Sequence, residues 1–283
     1  MGRFQLAYRN SSIIIPPDNP VEPELSDLVT LGILPKEISQ FTIADIGTTI
    51  ISVPYTDESE MIQGPIEFEV VGVNHHRDIN DETKPTITLM SKNILRKVEF
   101  DAKEDGNPNV DREEHGNNRW SVSNIRQWLN SDGEGFEWFV PQHEYDALPG
   151  YATDPGFLAG FSQDFKQHLA TVKNRTILCD SDKSSLDVDF EETEDKVFLP
   201  SYTEMGFGNL DDNNPEGTWL SNKFPDYDSK MKQYSNGKKG WYWMRSPDPG
   251  YSEAAYAIYE DGTDGSGAPS GGGPGVVPLL VLC

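Results

Sequence analysis

Few residues in this chain have the types and spacing that chemistry needs. His75 and His76 are adjacent. Neighbours on a strand point to opposite faces, so this pair does not chelate one metal. The most acidic stretch holds Asp180, Asp182, Asp187, Asp189, Glu191, Glu192, Glu194 and Asp195. Its spacing is not that of an EF-hand calcium loop, and it reads as a solvated loop. Cys179 and Cys283 make neither a disulfide framework nor a zinc site. No G-x-S-x-G, H-E-x-x-H, P-loop or Cys–His motif occurs, and the carboxylates are too many to single out a hydrolytic pair. The reading is therefore non-enzymatic, with no catalytic residue, metal or cofactor. The chemistry that does stand out is recognition. Tyr251, Ser252, Tyr256, Tyr259, Asp264, Ser266 and Ser270 lie in a stretch with glycines at 262, 265, 267, 271, 272, 273 and 275. Adaptable binding loops favour Tyr, Ser and Gly, because tyrosine offers rigid amphipathic area and glycine conformational freedom. The competing reading places Tyr256 and Tyr259 inside a sheet and makes the glycines an inert loop. A basic run, Lys230, Lys232, Lys238 and Lys239, precedes this region.

These residues need positioning elements. Trp241 to Met244 reads as an aromatic strand ending in Arg245-Ser246-Pro247, with Trp241 and Trp243 on one face. Trp241, Trp243 and Arg245 are expected to be structural, Arg245 locking loops by hydrogen bonds. Ala254 to Tyr259 is a second strand, ended by the hairpin dipeptide Asp261-Gly262. Val276 to Leu282 is an apolar run short enough to be a buried strand that closes a sheet. Upstream, Ile66 to Val73 and Thr86 to Met90 read as an antiparallel hairpin with a polar tip from 74 to 84. Ile43 to Val53 is a strand region interrupted by Gly47. Ser121 is the expected cap of a helix running through Asn130, with Trp120 and Ile125 as a hydrophobic staple and Val122, Ile125, Trp128 and Leu129 facing the core. Arg126 faces elsewhere, toward an acidic partner. Asp154-Pro155 opens a second helix, along which Phe157, Leu158, Phe161, Phe165, Leu169 and Val172 form a core stripe. Lys196 to Pro200 is a strand, and Ser201 with Glu204 has the spacing of a capping box.

Three motifs carry a resemblance. Trp120-Ser121-x-Ser123-x-Ile125-Arg126-x-Trp128-Leu129-Asn130, Asp195-Lys196-Val197-Phe198-Leu199-Pro200-Ser201-x-x-Glu204, and the Trp243-x-Arg245-Ser246-Pro247 strand with its later Gly-Val-x-Pro resemble, in order, an uncharacterised domain family of Gram-positive bacteria and their phages. That family is similar to the C-type-lectin-like group, which includes formylglycine-generating enzymes and phage variable adhesins. The resemblance covers about residues 45 to 283. It implies an α+β, C-type-lectin-like domain with short antiparallel sheets and two packed helices, and gives Trp120, Arg126, Trp128, Trp243 and Arg245 as its structural residues. Binders and enzymes share such folds. Formylglycine-generating enzymes work through paired cysteines beside the substrate groove; no such pair stands near the C-terminal loops here. Asn214-Pro215-Glu216 resembles the calcium-lectin triplet, but in the wrong order and context.

Composition sets the partners. Basic residues number 23 against 47 acidic, a net charge of −24 with pI near 4.4. Such a field repels phosphate backbones and anionic membranes, so neither nucleic acid nor membrane is an expected partner. No secretory signal follows Met1, and Leu6 fills the position that myristoylation gives to Ser or Thr. Residues 1–24, with Pro16, Pro17, Pro20 and Pro23, read as an extended arm. The expected organisation is an arm and linker over 1–42 and a lectin-like domain over 43–283. The expected role is a phage virion accessory protein, tail-tip, fibre-associated or capsid-decorating, made in the host cytoplasm. It is expected to be a homo-oligomer that docks to other virion proteins through the arm and presents its C-terminal surface to a host receptor or glycan. The alternatives are a bacterial surface adhesin and a formylglycine-generating-enzyme-like oxidoreductase.

Overall fold

The structure, a computed structural model, describes residues 27–57 and 59–283. The arm expected over 1–24 lies outside the described residues. Among the described residues there are twelve strands: β1 (Ile50–Val53), β2 (Ile66–Val73), β3 (Ile87–Ser91), β4 (Val172–Ile177), β5 (Phe190–Asp195), β6 (Val197–Phe198), β7 (Lys232–Gln233), β8 (Lys239–Gly240), β9 (Tyr242–Pro247), β10 (Ala255–Ile258), β11 (Asp264–Gly267) and β12 (Leu279–Leu282). They form a five-stranded sheet in the order β1-β2-β3-β12-β6, a three-stranded sheet β11-β10-β9, and the pairs β4-β5 and β7-β8. Every pairing is antiparallel. Helices are few and short, so the fold is mixed α+β with several small antiparallel sheets. No helix of the described residues is long and apolar enough to cross a membrane.

The terminal apolar run closes the main sheet. β12 slots between β3 and β6, Leu280 opposite both Leu89 and Val197, and all four of its residues are fully buried. A strand covered on both faces needs no polar alternation, which is why the run reads as continuous Leu and Val. The β2–β3 hairpin forms as expected. A bulge between Val70 and Gly72 turns Val70 and Val71 both inward, and a Cβ at Gly72 would meet His75 Cβ at 2.8 Å. Packing also begins earlier than residue 43. Leu28, Leu34, Ile38 and Phe41 are buried in the same core as Trp120, Trp128 and Trp243.

Five expectations change. Of the strand region expected over Ile43 to Val53, Ile43–Asp45 is a 3-10 turn and only Ile50–Val53 is a strand. The cap of the first helix is Ser123, whose Oγ accepts from Arg126 N, and the helix is Asn124–Leu129; Trp120–Val122 is a 3-10 turn before it. Ser121 instead donates from N and Oγ to Glu191. The second helix does not exist as one element. Phe157–Gly160 is a 3-10 turn, Gln163–Lys166 a single helical turn capped by Ser162, and Val172 opens β4. All six residues of the stripe are buried, so the spacing marked the core and not a continuous helix. Asp154 is an ion-pair partner of Arg96 at 2.6 Å, not a cap. The acidic stretch is not a loop. Asp180–Leu186 is a helix ended by left-handed Asp187, and β5 follows. On β5, Glu192 meets Lys173 and Arg175 of β4, both at 3.0 Å, while Thr193 and Asp195 face in.

Candidate functional site on the C-terminal sheet

Strand β9 has two functional ends. At its C-terminal end sits Arg245, 1% exposed. A buried guanidinium is costly unless it is paired and its donors are used. The Ser201–Glu204 pair meets that need. Glu204 Oε2 accepts from Ser201 N and Glu204 N donates to Ser201 Oγ, the reciprocal capping-box bonds, although a turn and not a helix follows. So fixed, the Glu204 carboxylate takes the Arg245 fork, NH1 to Oε2 at 2.7 Å and NH2 to Oε1 at 3.0 Å. The guanidinium also donates to the carbonyls of Leu199 and Glu216, and its Nε is buried without a hydrogen-bond partner among the described residues. His76 Nε2 lies 3.0 Å from Glu204 Oε1, and its Nδ1 is 3.0 Å from Thr88 Oγ1. Burial works against the Glu204 charge, but Arg245 and His76 more than reverse it and hold this carboxyl below the usual range.

Glu216 completes the hub and behaves oppositely. Its Oε1 accepts from Ile177 N and its Oε2 lies 2.5 Å from Ser246 Oγ. Burial dominates, and despite Arg245 its carboxyl is pushed up to about 7. His75, also partly buried, is pushed below the ordinary histidine value by burial and by His76. A cleft of about 330 Å³ overlies the hub, walled by His75, Arg77, Lys173, Arg175 and Glu192. The hub ties β4, β9, the β2–β3 hairpin and the turns after β6 into one body. A further buried carboxylate, Asp195, accepts from Trp120 Nε1 (3.1 Å), Arg126 Nε (2.7 Å), Asn174 Nδ2 (3.1 Å) and Thr193 Oγ1 (2.6 Å). It is the partner that Arg126 required. Trp128 donates to Pro155 O and Trp243 to Val98 O, both at 2.9 Å. Trp120, Arg126, Trp128, Trp243 and Arg245 thus all hold separate segments together.

The seven residues expected at a binding rim are not brought to one place. Tyr251 is 61% exposed. Its neighbour Ser252 is buried, its Oγ accepting from Asn109 Nδ2. Asn118 Nδ2 donates to the carbonyls of Asp248, Tyr251 and Ala254, which pins the loop. Tyr256 and Ser266 face each other across β10 and β11. Tyr256 packs on Tyr202 with ring centroids 4.7 Å apart, and the Tyr202 hydroxyl donates to Asp264 at 2.9 Å. Tyr259 lies on the opposite face. Its ring covers Gly265, where a Cβ would come within 2.1 Å of it. Ser270 N donates to His115 O, tying the glycine-rich segment to the helix Val110–His115. The expected loose rim is, over 264–267, strand β11.

The residue that leads into β9 was read as structural and is not buried. Trp241, just before the strand, is 41% exposed. Its indole packs edge-on against Tyr259 at 4.8 Å. It stands at a cleft of about 210 Å³ shared with Lys97, Tyr234, Lys238, Lys239 and Glu260. The walls are fixed by backbone bonds: Gly275 N to Trp241 O, Trp243 N to Gly275 O, and Val98 N to Pro274 O. Gly240 lets Tyr234 lie close, since a Cβ there would meet its ring at 2.7 Å. The Tyr234 hydroxyl is buried without a hydrogen-bond partner among the described residues. The basic run divides here. Lys232 is buried on Glu69 at 2.7 Å and Lys230 lies over Phe207, whereas Lys238 and Lys239 reach the cleft. Lys97, absent from that run, joins them from the segment after β3.

Among the described residues no group of three or more His, Cys, Asp and Glu side chains is placed to hold a metal ion. Cys179 and Cys283 are free, and burial pushes both thiols up, away from the reactive thiolate.

Fold and site together define an α+β domain of small antiparallel sheets, clamped by buried ion pairs and carrying an aromatic, lysine-lined cleft on its C-terminal sheet. The chain belongs to the family described as Domain of unknown function (DUF6273), whose model matches residues 85–282. No curated protein and no solved structure matches it. The matched span contains β9, the Trp241 cleft and, apart from His76, the hub.

Proposed function

We propose that this chain is a non-enzymatic binding module that presents its C-terminal sheet to a ligand. The setting we propose for it is a phage particle, as a tail-tip, fibre-associated or capsid-decorating protein, with a C-type-lectin-like fold. Residues 1–24 are the docking arm for other virion proteins, and the protomers form a homo-oligomer. The setting and the finer fold rest on the motif resemblance.

The binding reading has a structural support of its own, and one observation carries it. Trp241 is held at a fixed wall, yet 41% of it faces solvent beside three lysines that have no ion-pair partner among the described residues. Rigid, half-exposed aromatic area next to free charge is what recognition surfaces use. The titratable groups in the interior are spent differently: Glu204, Arg245, His76 and Asp195 all bridge segments of the fold. Mass spectrometry of purified particles tests the setting. The expected result is this chain as a particle component. Abundance in the host envelope together with absence from particles overturns it in favour of the adhesin alternative. Adsorption of the purified protein to host cells tests the binding role separately.

A further inference from the structure

We infer that the Trp241 cleft binds an anionic saccharide, a sugar ring carrying a carboxylate or a phosphate. The inference rests on the binding-module reading and names the ligand class of its site.

Charge is the first observation. In a chain of net charge −24, half of the fourteen lysines meet carboxylates. They are Lys36, Lys92, Lys166, Lys173, Lys183, Lys223 and Lys232. Lys97, Lys238 and Lys239 come from two distant segments, converge on one cleft and have no ion pair among the described residues. Three lysines lining one cleft, Lys239 with its Nζ also donating to Met231 Sδ at 3.1 Å, place positive charge against the overall field where a small anion can use it.

The aromatic wall is the second. An exposed indole offers a flat apolar face, and a sugar ring offers a matching face of C–H groups. Trp241 is held edge-on by Tyr259 and by the Gly275 N to Trp241 O bond of 2.9 Å, so little ordering accompanies binding. Glu260 at the same cleft is an acceptor suited to sugar hydroxyls, and the unpartnered Tyr234 hydroxyl is a further polar group. A carboxylate among the lysines also disfavours a bare polyanion.

Size is the third. At about 210 Å³ the cleft is smaller than the pockets that enclose drug-sized ligands. It takes one ring and its substituent. A nucleotide base would also stack on the indole, but a phosphodiester strand would run on over a surface that is strongly acidic overall. The observations favour the sugar.

The experiment is titration calorimetry of residues 1–283 with five probes: a uronate-containing disaccharide, its carboxyl-reduced neutral counterpart, a sugar phosphate, inorganic phosphate and a thymidine dinucleotide. Binding of the uronate or the sugar phosphate is expected, and which of the two is tighter assigns the acid group. The neutral sugar should bind at least about tenfold more weakly, as should the protein carrying Trp241→Ala or Lys97→Ala/Lys238→Ala. Circular dichroism and thermal melting show whether these surface variants keep the fold. Conservative Trp241→Phe should recover part of the affinity. The inference is overturned if neither acidic sugar binds, if the reduced sugar binds equally well, if inorganic phosphate alone matches the sugar phosphate, or if the dinucleotide binds tighter than both. Such failure alongside retained adsorption to host cells removes this ligand assignment and leaves the binding-module reading standing.

Discussion

The two ends of one strand carry charge for opposite purposes. At the inner end Arg245 is enclosed, forked onto Glu204 and backed by His76 and two carbonyls. Four residues earlier, Trp241 and the lysines beside it are exposed, and those lysines have no ion pair among the described residues. A buried charge with every neighbour engaged has little left for a ligand and much to lose if disturbed. An exposed charge without a partner contributes little to folding and is free for recognition. The contrast assigns the inner end to stability and the outer end to binding.

The sharpest way to break that contrast is at the inner end. Arg245→Leu strands Glu204 as a buried, uncompensated carboxylate, and a loss of about 3–5 kcal/mol is expected in chemical denaturation. A loss under about 1 kcal/mol would mean that the hub is not a clamp, and would return it to consideration as a site. Asp195→Asn comes next. The amide keeps the size but loses the charge that faces Arg126 and turns two acceptor lone pairs into donors beside Trp120, Asn174 and Thr193. About 2–3 kcal/mol of destabilisation is expected from denaturant midpoints at constant slope.

Much of the inner end was readable in the chain, and the part that was not is nonlocal. Ser201 and Glu204 announced their reciprocal bonds by spacing, because a capping box is made within four residues. The Arg245 that Glu204 holds lies 41 positions away, and no periodicity encodes that distance. β12 was legible because four apolar residues in a row need cover on both sides. β5 was not, because its outward residues are charged and its inward ones, Thr193 and Asp195, are polar too. The stripe from Phe157 to Val172 was misread for the opposite reason. Two turns and a strand wrapped on one core repeat apolar residues at nearly the spacing of a helix, and at Gly160 the chain passes too close to Tyr55 for a side chain. At the outer end, Lys238 and Lys239 stood out as a basic run, but Lys97 joins them only through the fold. Trp241 was expected to be structural like Trp243, on whose strand face it was placed, since alternation gives the face of a strand but not where the sheet stops covering it.

The pH dependence of stability sharpens the contrast within the hub itself. Glu216 releases its proton near its ordinary value of 4.5 in the unfolded chain but near 7 in the native fold, where burial favours the neutral acid. Between those values the native state binds more protons, so this group's contribution is full below about 4.5 and is lost as pH rises through about 7. Glu204, depressed by Arg245 and His76, acts the other way: its contribution is present above 4.5 and is lost only as pH falls toward its lowered native value. His143, raised by its bond to Glu104, slopes with Glu216, so the comparison must be made with a variant. Glu216→Gln should be nearly as stable as the parent at pH 5 and gain about 2 kcal/mol on it by pH 8. Parallel curves for the two proteins across that window would mean that Glu216 is ionised in the fold.

The smallest effect belongs to the outer end, and its smallness is what the contrast requires. Trp241→Ala removes a large side chain, and in a core that would cost about 3–5 kcal/mol. Here the indole is 41% exposed, its contact is the edge of Tyr259, and its backbone bonds to Gly275 do not depend on the side chain. A change within about 1 kcal/mol is therefore expected from melting and denaturation together. The neighbouring Trp243 is the control: it is fully buried, touches Phe100 at 5.7 Å between ring centroids and donates to Val98 O, so Trp243→Ala should show the full core penalty. If the two tryptophans cost the same, Trp241 is holding the sheet together and the outer end loses its claim to recognition. If Trp243→Ala unfolds the domain while Trp241→Ala leaves it intact, the exposed indole has no structural reason to be an indole, and its role lies in what it touches outside the chain.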